Sequence, residues 1–265
     1  MNIQNESKPH FSVSQLIDYL QCPFAYYLRH IAGIQWRQIP SAVCFGSSVH
    51  KAVEYMNSRR RDGLSVKEDD IVGMFYMGWS DAIEKNNISW KKSEEPAELL
   101  VKGQQLISLY YKQFRSHSFS EVELGFRLPI LDPVTGLYVR SRDMVGRIDA
   151  IDGDNTLIEF KTSGRTPTQY QVDGDLQLGV YHWAAHLLYG VPARKILVVN
   201  LVKTKDPKIE VLETHRSQDT HTRLLSLIEQ VIRAIDHGMY YPNPVGGFGC
   251  GSCNYREECQ RQWPL

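Results

Sequence analysis

No excess of either charge marks this chain: 30 lysines and arginines stand against 30 aspartates and glutamates in 265 residues. The strongly basic footprint that advertises phosphate binding is missing, so any nucleic acid must be held by local patches. Two groups offer such patches, the run Arg59, Arg60 and Arg61 and the set Arg140, Arg142 and Arg147; the first also fits a solvated helix end. Long apolar runs are missing too. No segment approaches the roughly 20 apolar residues that span a bilayer. Met1 to His10 is polar, without the basic-then-apolar order of a secretory leader, so a cytoplasmic protein with no membrane partner is expected. Cysteine is scarce and odd in number, five in all, which argues against a disulfide framework. Three of the five, Cys250, Cys253 and Cys259, crowd into the C-terminal tail.

What is present is patterned. Ser12 or Ser14 is placed to cap a helix through Leu16, Ile17, Leu20, Phe24, Tyr27 and Leu28, with Pro23 kinking or interrupting it. Further helices are predicted from Phe45-Gly46-Ser47 to Asp62-Gly63, over Ile71–Ile83 and over Ala97–Phe114. After His117 the period shortens, and Glu121–Ile130, Leu137–Ser141, Met144–Ile151 and Thr156–Thr162 read as strands. A helix over Gln171–Tyr189, strands Lys195–Leu201 and Ile209–Thr214, and a helix over Gln218–His237 complete the tally. With no internal repeat or convincing linker, a single α/β domain over 1–265 is expected: a helical N-terminal portion (1–118), a core (119–217), and a C-terminal helix with a cysteine-bearing tail (218–265).

The densest chemistry lies in Gly146-Arg147-Ile148-Asp149-Ala150-Ile151 and, after a turn, Leu157-Ile158-Glu159-Phe160-Lys161-Thr162. Residues two apart in a strand share a face, so Glu159 and Lys161 point one way and Ile158 and Phe160 the other, into the core. If the two strands pair as a hairpin, Asp149 approaches Glu159 at the roughly 5 Å of cross-strand neighbours. Bare carboxylates in a half-buried sheet carry a heavy desolvation cost. A hard divalent ion such as Mg²⁺ or Mn²⁺ resolves it, since such ions take carboxylate and carbonyl oxygens and recruit phosphate oxygens. The bland alternative is a wet Glu–Lys pair with Asp149 solvated.

The order G-x-x-D (Gly146 to Asp149), E-x-K (Glu159 to Lys161) and Q-x-x-x-Y (Gln177 to Tyr181), preceded by G-x-x-x-H (Gly46 to His50), resembles the PD-(D/E)XK nuclease superfamily, and more narrowly its RecB-type exonuclease branch. The resemblance implies a restriction-endonuclease-like mixed sheet flanked by helices and hydrolysis of DNA phosphodiesters with Mg²⁺ or Mn²⁺. Carried over residue by residue, it makes His50, Asp149, Glu159 and the backbone carbonyl of Phe160 metal ligands. Asp149, Glu159 and Lys161 then act as the catalytic set, with Gln177 and Tyr181 supporting the lysine and the phosphate. Glu54, one turn past His50, is a candidate partner for it, and Arg147 and Arg165 are candidate nucleic-acid contacts.

C-x-x-C brings two thiolates within reach of one metal. Cys259 follows closely, and Cys22 is the natural fourth, because Cys44 lies among apolar residues and reads as a buried small side chain. Four thiolates suit structural zinc or an iron–sulfur cluster, and spacing alone does not separate them. One cysteine near the N-terminus and C-x-x-C-x-x-x-x-x-C at the far end resembles the iron–sulfur nucleases, AddB-type domains and CRISPR-associated adaptation nucleases among them. That resemblance implies a [4Fe–4S] cluster. The expected activity is an exonuclease on single-stranded or frayed DNA ends. The competing readings are a non-catalytic DNA-binding or assembly module and a zinc-stabilised regulatory protein. A helicase, recombination or CRISPR-adaptation partner protein is left open, since no helicase motif occurs in the chain. The stretch from about Lys67 to Leu128 carries no motif.

Overall fold

A computed structural model of the chain describes residues 9–92, 94–132, 135–136, 138–245 and 250–264; the stretch from Met1 to Lys8 lies outside them. His10–Ser12 forms a short strand, β1, and Ser12 caps the helix α1 (Val13–Gln21) by accepting from the Gln15 amide. Cys22 interrupts the helix and Pro23 starts a new one, α2 (Pro23–Tyr26), which runs into a π-helical turn at Tyr27–Ile31. Proline suits a first helical position because its missing N–H is not needed there. Ile39–Pro40 (β2) pairs with Ile88–Ser89 (β3), a two-residue ladder too short to show as alternation in the sequence. Between and after them come α3 (Ser41–Arg61), α4 (Glu68–Lys85) and α5 (Pro96–Phe114).

The main sheet is built from β4 (Phe119–Leu131), β5 (Tyr138–Asp152), β6 (Thr156–Ser163), β7 (Lys195–Val202) and β8 (Lys208–Thr214), together with β1. Strand β5 is continuous, so the two separate strands expected over Leu137–Ser141 and Met144–Ile151 are one; Asp143 pairs with Pro129 and Val139 with Ile130, the register shifting between them, and Leu137 itself lies outside the described residues. Both parallel and antiparallel pairs occur: β1 with β5 and β6 with β7 are parallel, while β4–β5, β5–β6 and β7–β8 are antiparallel. Strand β4 occupies one edge of β5, whereas β1 (at residues 143–145) and β6 (at 150–151) share the other. Gly146 to Asp149 faces the gap between them.

The helix expected over Gln171–Tyr189 is two, α6 (Gln169–Asp173) and α7 (Leu176–Tyr189). Gly174 ends the first, and the Asp175 carboxylate caps the second by accepting from the Gln177 and Leu178 amides. The long α8 (Gln218–Asp236), a 3₁₀ turn at Cys250–Ser252 and α9 (Arg256–Gln262) close the chain. Helices cover both faces of the sheet. Leu16, Trp183 and Ile228, from α1, α7 and α8, pack on Leu157 and Val198. Phe45, Phe75 and Tyr110, from α3, α4 and α5, pack on Ile158, Phe160 and Val199. This is the α/β restriction-endonuclease-like architecture that the resemblance implied. No helix among the described residues is long and apolar enough to cross a membrane.

Candidate active site

The β5–β6 ladder stops at Ala150↔Ile158. One step on, the Asp149 side chain takes over from the main chain: its Oδ2 accepts from the Phe160 amide at 2.9 Å. Directly across stands Glu159, so the two carboxylates share the opening where the strands part. Because the site lies at that opening, helices from both faces of the sheet reach it. From α3, His50 Nδ1 comes within 3.9 Å of Asp149 Oδ2. From α7, Gln177 Oε1 accepts from Lys161 Nζ at 2.5 Å, and Gln177 Nε2 donates to Tyr181 Oη at 2.8 Å. Lys161 Nζ also pairs with Glu159 Oε1 at 2.7 Å. Thus His50, Asp149, Glu159, Phe160, Lys161, Gln177 and Tyr181 meet in one place.

Two glycines make the approach possible. A Cβ on Gly46 would lie 3.1 Å from Thr162 Oγ1, so glycine lets α3 settle against β6 one turn before His50. A Cβ on Gly146 would lie 2.5 Å from the Phe126 ring and 3.1 Å from Val13, closing the space in which β4 and α1 pack beside the gap.

The electrostatics are those of a site short of positive charge. Burial, and then the Asp149 charge, push the Glu159 carboxyl up to about 8, against the pull of Lys161. Burial likewise raises Asp149, to about 6, although the Phe160 amide works the other way. Lys161 is lowered by its own burial but ends above its ordinary value because Glu159 stands beside it. Burial depresses His50 despite the Glu159 charge. Burial also raises Tyr181, with Glu159 adding to it.

One member was not legible in the sequence. Glu123, on β4, brings its carboxylate to the same point, so that ligand atoms of His50, Glu123 and Asp149 lie within 4.8 Å of one another. Its backbone is left-handed, with φ 53°, a conformation costing a non-glycine residue about 1–2 kcal/mol. That kink breaks the strand's alternation: Val122 packs into the α3–α5 core while Leu124, two residues on, packs against the other. Burial and the Glu54 charge raise the Glu123 carboxyl, with Arg147 opposing; Glu54 acts on His50 in the same through-space way.

A divalent cation fits this donor set. Oxygens predominate, joined by one imidazole, and Glu159 Oε2 is buried with no hydrogen-bond partner. An oxygen left that way inside a protein costs stability unless something positive reaches it.

The arginines divide. Arg147 Nη1 lies 3.4 Å from Glu123 Oε2, and Arg165 is exposed on the turn after β6. Arg142 is drawn away to Asp236 on α8, and the Arg140 side chain lies outside the described residues. In the other run, Arg59 bonds the Ser65 carbonyl and Arg61 pairs with Asp62, as befits the end of a helix.

In a separate cavity of about 260 Å³, Cys22, Cys250, Cys253 and Cys259 lie beside Phe24 and Leu28. The Asn243 amide donates to Cys22 Sγ and the Tyr255 amide to Cys253 Sγ, each at 3.4 Å. Burial raises the Cys253 and Cys259 thiols, and the neighbouring cysteines raise them further. Cys44 is buried in the α3–α5 core instead.

Comparison with known proteins agrees with this geometry. The family model of the PD-(D/E)XK nuclease superfamily matches residues 10–260. The Gene 69 protein of Mycobacterium phage D29 is 25% identical over 207 residues, covering 69% of this chain and 71% of its own. The Gene 69 protein of Mycobacterium phage L5 is 23% identical over 287 residues, covering 94% and 95%. Among solved structures, an exonuclease-like protein from Eubacterium rectale superposes with a TM-score of 0.59 at 13% identity, over 100% of this chain and 95% of that one.

Proposed function

The chain belongs to the PD-(D/E)XK nuclease superfamily, and from that premise we propose that it is a single-domain Mg²⁺- or Mn²⁺-dependent deoxyribonuclease of the RecB type, acting on single-stranded or frayed DNA ends. The observation that carries this reading is the pairing of Asp149 with Glu159 across diverging strands, with the Lys161 ammonium 2.7 Å from Glu159. A bound divalent ion supplies a water of lowered pKa and neutralises charge on the phosphate. Asp149, Glu159, His50 and the Phe160 carbonyl are the residues to hold it.

Lys161 is fixed from two sides, by Glu159 and by Gln177, and Tyr181 in turn fixes Gln177. Held there, its ammonium is placed to stabilise the charge that grows on the phosphate. Gln177 keeps that ammonium aimed, which spares the reaction the cost of ordering it.

The four cysteines of the tail cavity are proposed to hold a [4Fe–4S] cluster. All four line the same cavity, and one N-terminal cysteine followed by C-x-x-C-x-x-x-x-x-C resembles the iron–sulfur nucleases, which supports a cluster over a single zinc ion. Such a cluster would tie α2 to the tail across most of the chain.

The test is digestion of end-labelled single- and double-stranded DNA with Mg²⁺ or Mn²⁺ by anaerobically purified protein, beside its visible spectrum. Cleavage that disappears in Glu159→Ala and Lys161→Ala is expected, from a brown protein containing iron and sulfide. DNA binding without cleavage of any end would instead assign a binding module, and a colourless zinc protein would remove the cluster.

A further inference from the structure

Glu123 lies in a stretch without any nuclease motif, yet its place in the sheet is specific. It sits between Val122 and Leu124, which pair with Ala150 and Ile148, so it stands opposite Asp149. Asp149 in turn follows the Ala150↔Ile158 step and stands opposite Glu159. Three carboxylates thus form a row across three neighbouring strands, an arrangement that repels itself unless a positive charge intervenes. The positive charge that Glu123 has is Arg147, at 3.4 Å on a side chain 65% exposed. An exposed pair of that length is weak and does not account for a kinked, half-buried carboxylate. At the far end of the row Glu159 is only 3% exposed and its Oε2 has no partner. Lys161 reaches only its Oε1, so the row ends on a buried oxygen without a hydrogen-bond partner.

We propose that Glu123 is a cation ligand of this site, together with His50 and Asp149, and that a bound cation draws it from Arg147, freeing that guanidinium for a substrate phosphate. A doubly charged ion at coordination distance outcompetes a solvated guanidinium for the same carboxylate. The released fork then matches a phosphate in planar, two-point fashion. Loading of the ion and capture of the strand become linked through one side chain. This rests on the nuclease reading and adds to it a ligand and a phosphate contact.

The test is calorimetric titration of the full chain with Mn²⁺, comparing wild type with Glu123→Gln, Arg147→Gln and Glu159→Gln. Glu123→Gln is expected to weaken Mn²⁺ at least about tenfold. Arg147→Gln is expected to bind Mn²⁺ as well as wild type or better, while raising KM for an end-labelled oligonucleotide with kcat little changed. Wild-type Mn²⁺ affinity in Glu123→Gln, with loss in Glu159→Gln, overturns the proposal and leaves the nuclease reading standing. Weakened Mn²⁺ binding in Arg147→Gln overturns the exchange. If wild type itself binds no Mn²⁺, the metal-dependent reading falls and the proposal with it. Should Glu123→Gln fold poorly, Glu123→Asp, which keeps the charge but shortens its reach, must weaken Mn²⁺ as well; unchanged affinity there also refutes the role.

Discussion

Replacing Glu159 by glutamine keeps the side chain's shape and removes its charge, and the consequence for stability has a definite sign. The carboxyl rises on folding from 4.5 to about 8, chiefly because it is buried. In the absence of metal the folded protein therefore binds this proton more tightly than the unfolded chain does. The stability it contributes is fully present below about pH 4.5 and is lost as pH rises through about 8. Such a displacement corresponds to about 5 kcal/mol at most. For a chain of this size that is a melting shift of roughly 10–20 °C at the upper limit. Lys161, without its ion pair in the variant, keeps its bond to Gln177 Oε1 and is about a third open to solvent (36%).

The assay is a series of thermal melts in chelator from pH 6 to pH 9. Glu159→Gln should melt higher than wild type, by a margin that widens with pH. Mn²⁺ should then raise the wild-type melting temperature and leave the variant nearly unmoved, while the variant cleaves no DNA. Parallel melting curves across that range, or a wild type that grows more stable with rising pH while the variant does not, would refute the reasoning.

Other perturbations test separate parts of the architecture. Lys161→Met should lower kcat by about 100- to 1,000-fold while leaving DNA affinity nearly intact, as filter binding would report. Gly146→Ala forces a methyl group against the Phe126 ring, so chemical denaturation should show a loss of about 1–3 kcal/mol. Asp175→Ala removes the cap of α7, costing about 1 kcal/mol, and should slow turnover by loosening Gln177 two residues on. Cys253→Ser should bleach the visible absorption of the protein and lower its melting temperature, with thermal melts and iron analysis as the readouts.

Much of the site was legible because β6 obeys simple parity. Glu159 and Lys161 alternate with Ile158 and Phe160, and the core takes the second pair. The same rule fails at Glu123, where a left-handed backbone sends Val122 and Leu124 to different cores; nothing in the sequence Val-Glu-Leu signals that kink. The break between α6 and α7 was hidden because the apolar period runs on through Gly174. Only the Asp175 carboxylate, bonded to two amides, shows where a new helix starts. Strand β1 could not be read at all, since its three residues become a strand only by pairing with residues 143–145, far along the chain. Local signals fix local elements, whereas pairing over such distances is decided by tertiary packing.

The interruption in the ladder beside Gly146 to Asp149 has a further effect on the molecule's behaviour in crowded solution. Unpaired strand margins invite other chains to add on and start aggregates. Here the bare margin is four residues long and closed at each end by strands running in opposite directions, β1 parallel and β6 antiparallel. An incoming strand could not extend past either end, so this margin is a poor seat for a strand from another molecule.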